Sequence, residues 1–356
     1  CGIDESAQAH WQPIASGSDL DAAADLITCQ KAAVRHIRSL AKENHERALE
    51  PLKARVLALG LTENDLLLGL AWVSELAPVI VHMNLDNVGR YLESDTHYRN
   101  QFETNTSEGL VNLNARTAWE NKLFGYAYDD AKPFERPKYG VQNIWNDPKG
   151  VTGCLQYGDS YLVLKDVRLR CTLSPEDSGG IQGRRLAVLD HYAHVMLEYS
   201  DKELLETLRI AKGGAEHLGD SAKVVEAWGK YKEVQIHGEV NLSKHVRLLV
   251  VNERHRSESD WIHKLAAAHD LPVSWINDFK QTLTEHAGGR ELSTEDWTNQ
   301  LEKVKQDNQR VPGNEPKGGS QQLAPSAAEG PPVDTNAPAG LPADGVAVAA
   351  EEETLT

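Results

Sequence analysis

Pro78-Val79-Ile80-Val81-His82-Met83 is a proline followed by a short β-branched run, and Asn84-Leu85-Asp86-Asn87-Val88 comes directly after it. Five apolar or β-branched positions with no helical spacing read as a buried strand. Residues 85–92 then read as a short helix behind it. Working outward, strands are expected at 139–145, 160–164, 169–173, 233–237 and 247–251. The segment 233–237 alternates polar and apolar residues, as a half-buried strand does. Helices are expected at 115–124, 184–198, 201–212, 256–269, 274–287 and 294–309. The two kinds of element mix without a regular βα repeat. Neither GxGxxG nor GxxxxGK occurs. The fold class is therefore α+β rather than a doubly wound nucleotide fold.

Upstream, residues 18–59 read as helix. Ile27, Val34, Ile37, Ala41, Ala48, Leu52 and Val56 recur at three-, four- and seven-residue steps, which is one helix face. Ser18-Asp19 supplies a start, Pro51 is expected to break the run in two, and Gly60 to stop it. Thr62-Glu63-Asn64-Asp65 resembles a capping box, with Leu66, Leu67, Leu70 and Val73 as the apolar side of the next helix. The expected organisation is a helical region at 1–77, a core at 78–252, further helices at 253–311 and a tail at 312–356. That tail is rich in Pro, Gly, Ala and Ser, and Lys317 is its one cation against seven acids. It cannot bury enough apolar surface to offset ordering entropy, so the reading is a disordered acidic tail.

The 356-residue chain carries 37 Lys and Arg against 53 Asp and Glu, a formal net charge of −16. That balance argues against phosphate-backbone binding, and runs of basic residues interleaved with aromatics are absent, so nucleic acid is not the expected partner. No stretch is long and apolar enough to span a membrane. The cysteines are Cys1, Cys29, Cys154 and Cys171, too few for a disulfide framework and without a CxxC pair. A reduced, cytoplasmic setting is the default. Cys1-Gly2 also suits the lipid-bearing mature end of a lipoprotein.

Chemistry concentrates between Tyr98 and Gly180. Arg99-Asn100-Gln101-Phe102-Glu103-Thr104-Asn105-Thr106-Ser107 is dense in donors and acceptors, and Glu135-Arg136-Pro137-Lys138-Tyr139-Gly140-Val141-Gln142-Asn143 interleaves polar residues with Tyr and Gly at a strand entrance. Such texture suits a ligand cleft, although a polar loop with a cross-strand tyrosine fits it too. Asp190-His191 and His194 share a face of an expected helix and raise a metal-dependent hydrolase as a second enzymatic reading. HExxH and GxSxG are both missing.

The order YRNQFET (98–104), WE (119–120), LFG (123–125), AYD (127–129), ERPKYG (135–140), YGDSYLVLK (157–165) and KEVQIHGEV (232–240) resembles a bacterial family of proteins of unknown function linked to the ADP-ribosyltransferase superfamily. The resemblance covers roughly 79–251. It implies a split mixed β-sheet core clamping NAD, as substrate, between two small sheets, and mono-ADP-ribosylation of a protein target, in the cytoplasm or by secretion into another cell as an effector or toxin. It also implies His82, Tyr139 and Glu233 as the first-, second- and third-strand catalytic positions. In a competing assignment Arg99 binds the cofactor and Thr104 to Ser107 form the Ser/Thr element. Gln101, Thr104, Ser107, Gly140, Asn143 and Gln235 complete the expected NAD-binding set. Arg99 and Arg136 are the candidates for the diphosphate, because a guanidinium forks onto phosphate oxygens. On a strand, Glu233, Gln235 and His237 point to one face. The rival from another class is a non-enzymatic protein-binding module, lipid-anchored in one version.

Overall fold

The computed structural model describes residues 26–104, 113–213, 217–225 and 229–278. Helices α1 (Thr28–Ala58) and α2 (Glu63–Ala71) precede strand β1 (Val79–Met83). Then come α3 (Leu85–Ser94), α4 (Leu113–Leu123), β2 (Lys138–Gln142), β3 (Ser160–Leu164) and β4 (Cys171–Leu173). The described chain continues through α5 (Asp201–Gly213), β5 (Glu233–Ile236), β6 (Val246–Val251), α6 (Ser259–Ala267) and β7 (Val273–Trp275).

The strands form one seven-stranded open sheet in the order β4-β5-β2-β1-β3-β6-β7. Every pairing is antiparallel except β6 with β7, which is parallel. The α+β class holds. The two small separate sheets do not appear: the ladder of hydrogen bonds runs unbroken from β4 to β7.

Register decides which residues share a face, because paired residues in an antiparallel ladder point the same way. Ile80 pairs with Val141, Val141 with Glu233, Tyr139 with Gln235, and Gln235 with Thr172. His82 lies two residues from Ile80 on β1 and therefore shares this face. One side of the sheet thus carries His82, Tyr139, Glu233, Gln235 and Thr172. Val79, Val81, Met83, Val234, Ile236, Cys171 and Leu173 fill the other side with apolar volume, all of them buried. Each such fully buried Val, Leu or Ile contributes roughly 1.5–3 kcal/mol relative to an exposed one.

Pro51 does not break α1. The helix runs for 31 residues, with Pro51 inside it on the exposed side. There the missing N–H costs one ladder bond, while Ala48, Leu52 and Val56 stay buried on the opposite face. Gly60 ends the helical run at φ +78°. The Thr62 capping box forms as read: Asp65 N donates to Thr62 Oγ1 at 3.2 Å, and Thr62 N donates to Asp65 Oδ2 at 2.8 Å. Leu67, expected inside, is exposed. Residues 184–198 are not one helix: 183–185 form a 3-10 turn, Val188 and His191 make an isolated bridge, and Ala193–Leu197 alone is helical. The expected helix at 274–287 starts instead as β7 and a 3-10 turn at Ile276–Asp278. Because β7 pairs with β6, the sheet runs past the expected boundary at 252. Ser18-Asp19, Cys1, the helix at 294–309 and the tail at 312–356 lie outside the described residues. No helix among the described residues is long and apolar enough to cross a membrane.

Candidate functional site

Tyr139 and Glu233 stand on neighbouring strands and face the same way. α4 lies across them. The hydroxyl of Tyr139 donates to Glu120 Oε1 at 2.8 Å, and Arg136 Nη1 donates to Glu120 Oε2 at 2.9 Å. The Arg116 guanidinium sits between two rings, 4.7 Å from the centroid of Trp119 and 4.8 Å from that of Tyr139. Nε and Nη1 of Arg116 are buried and have no hydrogen-bond partner among the described residues. This covering explains why all four residues of β5 are buried, where alternation alone predicted a half-exposed strand.

The Glu233 carboxylate is held from two sides. Ser178, in the 3-10 turn at Ser178–Gly180, donates its hydroxyl to Oε1. Gln235 Nε2 donates to the same oxygen at 2.8 Å. Among the described residues no donor reaches Oε2. Burial, with the Asp177 carboxylate adding to it, pushes the Glu233 carboxyl up to about 7. The Ser178 and Gln235 hydrogen bonds and the Arg116 charge pull the other way. Asp177 is itself fixed, accepting from Tyr231 Oη at 2.6 Å and Gly179 N at 2.8 Å. A cavity of about 280 Å³ opens beside it, lined by Glu176, Asp177, Gly180, Ile181, Arg185 and Gly229. Burial also drives the Tyr139 phenol and the Glu120 carboxyl above their ordinary values.

Other expected site residues have structural employment. His82 shares the face, but both ring nitrogens are taken by backbone: Nδ1 meets Gly158 O at 2.9 Å, and Val151 N donates to Nε2 at 3.0 Å. An N–H donating to Nε2 makes His82 the neutral Nδ1–H tautomer, and burial lowers its pKa to about 4. It offers no free atom to a ligand in this arrangement. Arg136 is spent on Glu120 and on Tyr128 O, with the Phe102 ring stacked 4.7 Å away, so it is a core ion-pair member rather than a phosphate ligand. Arg99 forks onto Asp95 and stacks on Tyr91 at the surface. Asn143 closes a turn, exchanging hydrogen bonds with the backbone of Asp147. Gly140 points to the opposite face of the sheet, where a Cβ would lie 2.6 Å from Ile80 O; its smallness serves strand packing, not a ligand. Thr104 turns its hydroxyl back onto Asn100 O at 3.2 Å. Gln101 Oε1 is buried without a hydrogen-bond partner among the described residues. Ser107 lies outside the described residues.

Asp190, His191 and His194 do not assemble as metal ligands. Asp190 pairs with Arg38, and His194 Nε2 meets Leu186 O at 3.0 Å. Among the described residues, Asp86, His255 and Glu258 do approach one another, but Asp86 also binds the Arg254 guanidinium, which already supplies a cation there.

Sequence reasoning missed Arg116, Glu120, Asp177, Ser178 and Thr172. Glu120 belongs to the Trp119-Glu120 pair, which is its one signal in the sequence.

Fold and site together define an α+β protein with one open mixed sheet, whose covered face holds a buried carboxylate beside a tyrosine. A family described as protein of unknown function (DUF3626) matches residues 78–289, and the chain belongs to that family. The match begins at β1 and reaches past β7, so it takes in every strand of the sheet. No curated protein matches the chain.

Proposed function

We propose that the protein is an NAD-dependent mono-ADP-ribosyltransferase acting on a protein, with Glu233 and Tyr139 as catalytic residues. One observation carries this reading: Tyr139 and Glu233 are diagonal neighbours on the adjacent strands β2 and β5, facing one way, with Gln235 on β5 directly opposite Tyr139. In the reaction the bond between ribose C1′ and the nicotinamide nitrogen breaks, and its electron pair leaves with neutral nicotinamide. A nucleophile of the acceptor forms the new bond to C1′, and its proton passes to solvent or to the Glu233 carboxylate. The sugar becomes oxocarbenium-like on the way, and a fixed carboxylate stabilises that charge. Glu233 serves with Oε2, the oxygen that no donor reaches among the described residues. The Tyr139 ring offers a stacking surface for nicotinamide. Arg116 takes the diphosphate role expected of Arg99 and Arg136, since its Nε and Nη1 have no hydrogen-bond partner among the described residues. Arg116 and Glu120 now sit over Tyr139, so the reading requires α4 to withdraw when NAD enters.

The test is incubation of the full chain with labelled NAD and a cell lysate, beside Glu233→Gln. Labelled protein or released nicotinamide is expected from the parent, with a loss of at least about a hundredfold in the variant. Equal turnover by both proteins, or none by the parent, overturns the assignment.

A further inference from the structure

Behind Glu233 a line of polar side chains runs through the buried core and ends at a tyrosine. Gln235 Nε2 donates to Glu233 Oε1 at 2.8 Å. Thr172 Oγ1 donates to Gln235 Oε1 at 2.9 Å. Thr172 Oγ1 also lies 3.0 Å from His237 Nε2, and His237 Nδ1 lies 2.6 Å from Tyr128 Oη. Gln235, Thr172, His237 and Tyr128 are all fully buried. The Tyr128 and His237 rings are nearly parallel with centroids 5.9 Å apart, joined end to end by their hydrogen bond, and Phe124 meets the same imidazole edge-on.

The geometry points to a relay, Tyr128–His237–Thr172–Gln235, whose members are positioning residues that orient the Glu233 carboxylate and keep Oε2 open to a ligand. Counting protons fixes the direction of the relay. Thr172 has one hydroxyl proton and gives it to Gln235 Oε1, so His237 must donate to Thr172 from Nε2. A neutral imidazole has one N–H, so Nδ1 is bare and accepts from the Tyr128 hydroxyl. Burial keeps His237 neutral, with the nearby Arg170 charge working in the same direction. Every proton then points toward Glu233, and the last donor is an amide N–H aimed at Oε1. In the reverse direction Gln235 would present its oxygen to Glu233, which suits only the protonated acid. His237 would then donate from Nδ1, and the buried Tyr128 proton would lose its acceptor. The relay thus favours the ionised carboxylate, the form that can stabilise a positive sugar. Asp177, Arg116, Tyr139, Tyr231, Tyr157 and Cys154 also face Glu233 electrostatically, and the variants below leave all of them in place.

What the open oxygen binds rests on the function proposed above; the relay itself does not. It is tested by nitrogen NMR of His237 and by carboxyl-carbon titration of Glu233 in the full chain, the latter assigned with Glu233→Gln. In the parent at neutral pH, His237 is expected as the Nε2–H tautomer. Thr172→Val, which leaves Gln235 Oε1 without its donor and frees the amide to turn its N–H away from Glu233, is expected to raise the Glu233 midpoint by about one pH unit, the worth of the Gln235 hydrogen bond to the charged carboxylate. Thr172→Ser is expected to restore it. Should Thr172→Val not fold, Tyr128→Phe serves, with a smaller rise in the same direction. An Nδ1–H tautomer in the parent, or an unmoved midpoint in the folded variant, overturns the relay. A parent with the expected tautomer and shift but without NAD turnover keeps the relay and overturns the transferase reading.

Discussion

Tyr139 and Glu120 meet across the gap between sheet and helix, the phenol donating to the carboxylate at 2.8 Å. The same carboxylate holds Arg136, so one buried anion ties α4 to β2 and to the segment that leads into it. Glu120→Ala strands Arg136, whose side chain is only 6% exposed. Breaking a buried pair from one side costs about 3–5 kcal/mol. Urea unfolding of the variant should show that loss. Glu120→Gln, which keeps an acceptor for Tyr139, should lose less. A midpoint for Glu120→Ala equal to the parent's would mean that α4 is not anchored in this way.

Gly140→Ala should be far more harmful than Gly60→Ala. At Gly140 the new Cβ would stand 2.6 Å from the backbone oxygen of Ile80, in the middle of two paired strands that have no room to part. At Gly60 nothing lies within 4 Å, and the cost is that of φ +78° for a non-glycine residue, about 1–2 kcal/mol. Thermal melts of the two variants check the order. The reverse order would refute the strand-packing role.

Several elements are legible in the sequence because their causes are local. A β-branched run makes β1, the Thr62–Asp65 box starts α2, and alternation marks β5. Failures came where distant packing decides. Pro51 stays in a helix because apolar faces on both sides of it are buried, and of 184–198, which reads as helix throughout, only Ala193–Leu197 forms α-helix. β7 is three residues long and exists only because β6 offers it an edge. At the site, strand spacing was enough to align Glu233, Gln235 and His237. It gave no hint that backbone groups would claim both nitrogens of His82, or that Arg136 would be claimed by a glutamate 16 residues earlier. Charged residues reveal their partners only after the chain has closed on itself.

Stability should fall as the solution is acidified from neutrality. His82 and His237 have folded pKa values lowered to about 4 and about 3 by burial. The unfolded chain therefore binds more protons than the folded one below their ordinary value of 6.5. Their contribution is full above that pH and drains away as pH drops toward 4. Glu233, raised to about 7, and Glu120, also raised by burial, act in the opposite sense, while His45 and His245, both lowered to about 4 by burial, add to the decline. Urea midpoints measured from pH 7.5 down to 4.5 should decline, and His82→Gln should flatten the decline. A profile level across that span would contradict the neutral, buried state of both imidazoles.

Arg116 and Arg136 lie on the same site, yet their loss should be felt differently. Arg136 satisfies Glu120 and Tyr128 O, so Arg136→Ala leaves a buried carboxylate uncompensated and should cost about 3–5 kcal/mol of stability. Arg116 stacks between Trp119 and Tyr139 with Nε and Nη1 unpartnered among the described residues, so Arg116→Ala removes stacking and should cost about 1–2 kcal/mol. If those nitrogens serve the NAD diphosphate, the same substitution weakens NAD binding by about 1.5–3 kcal/mol, roughly ten- to a hundredfold in affinity. Calorimetric titration with NAD beside a thermal melt separates the two effects. Arg116→Ala with parental affinity would return Arg116 to a purely structural place, holding the helix to the tyrosine ring beneath it.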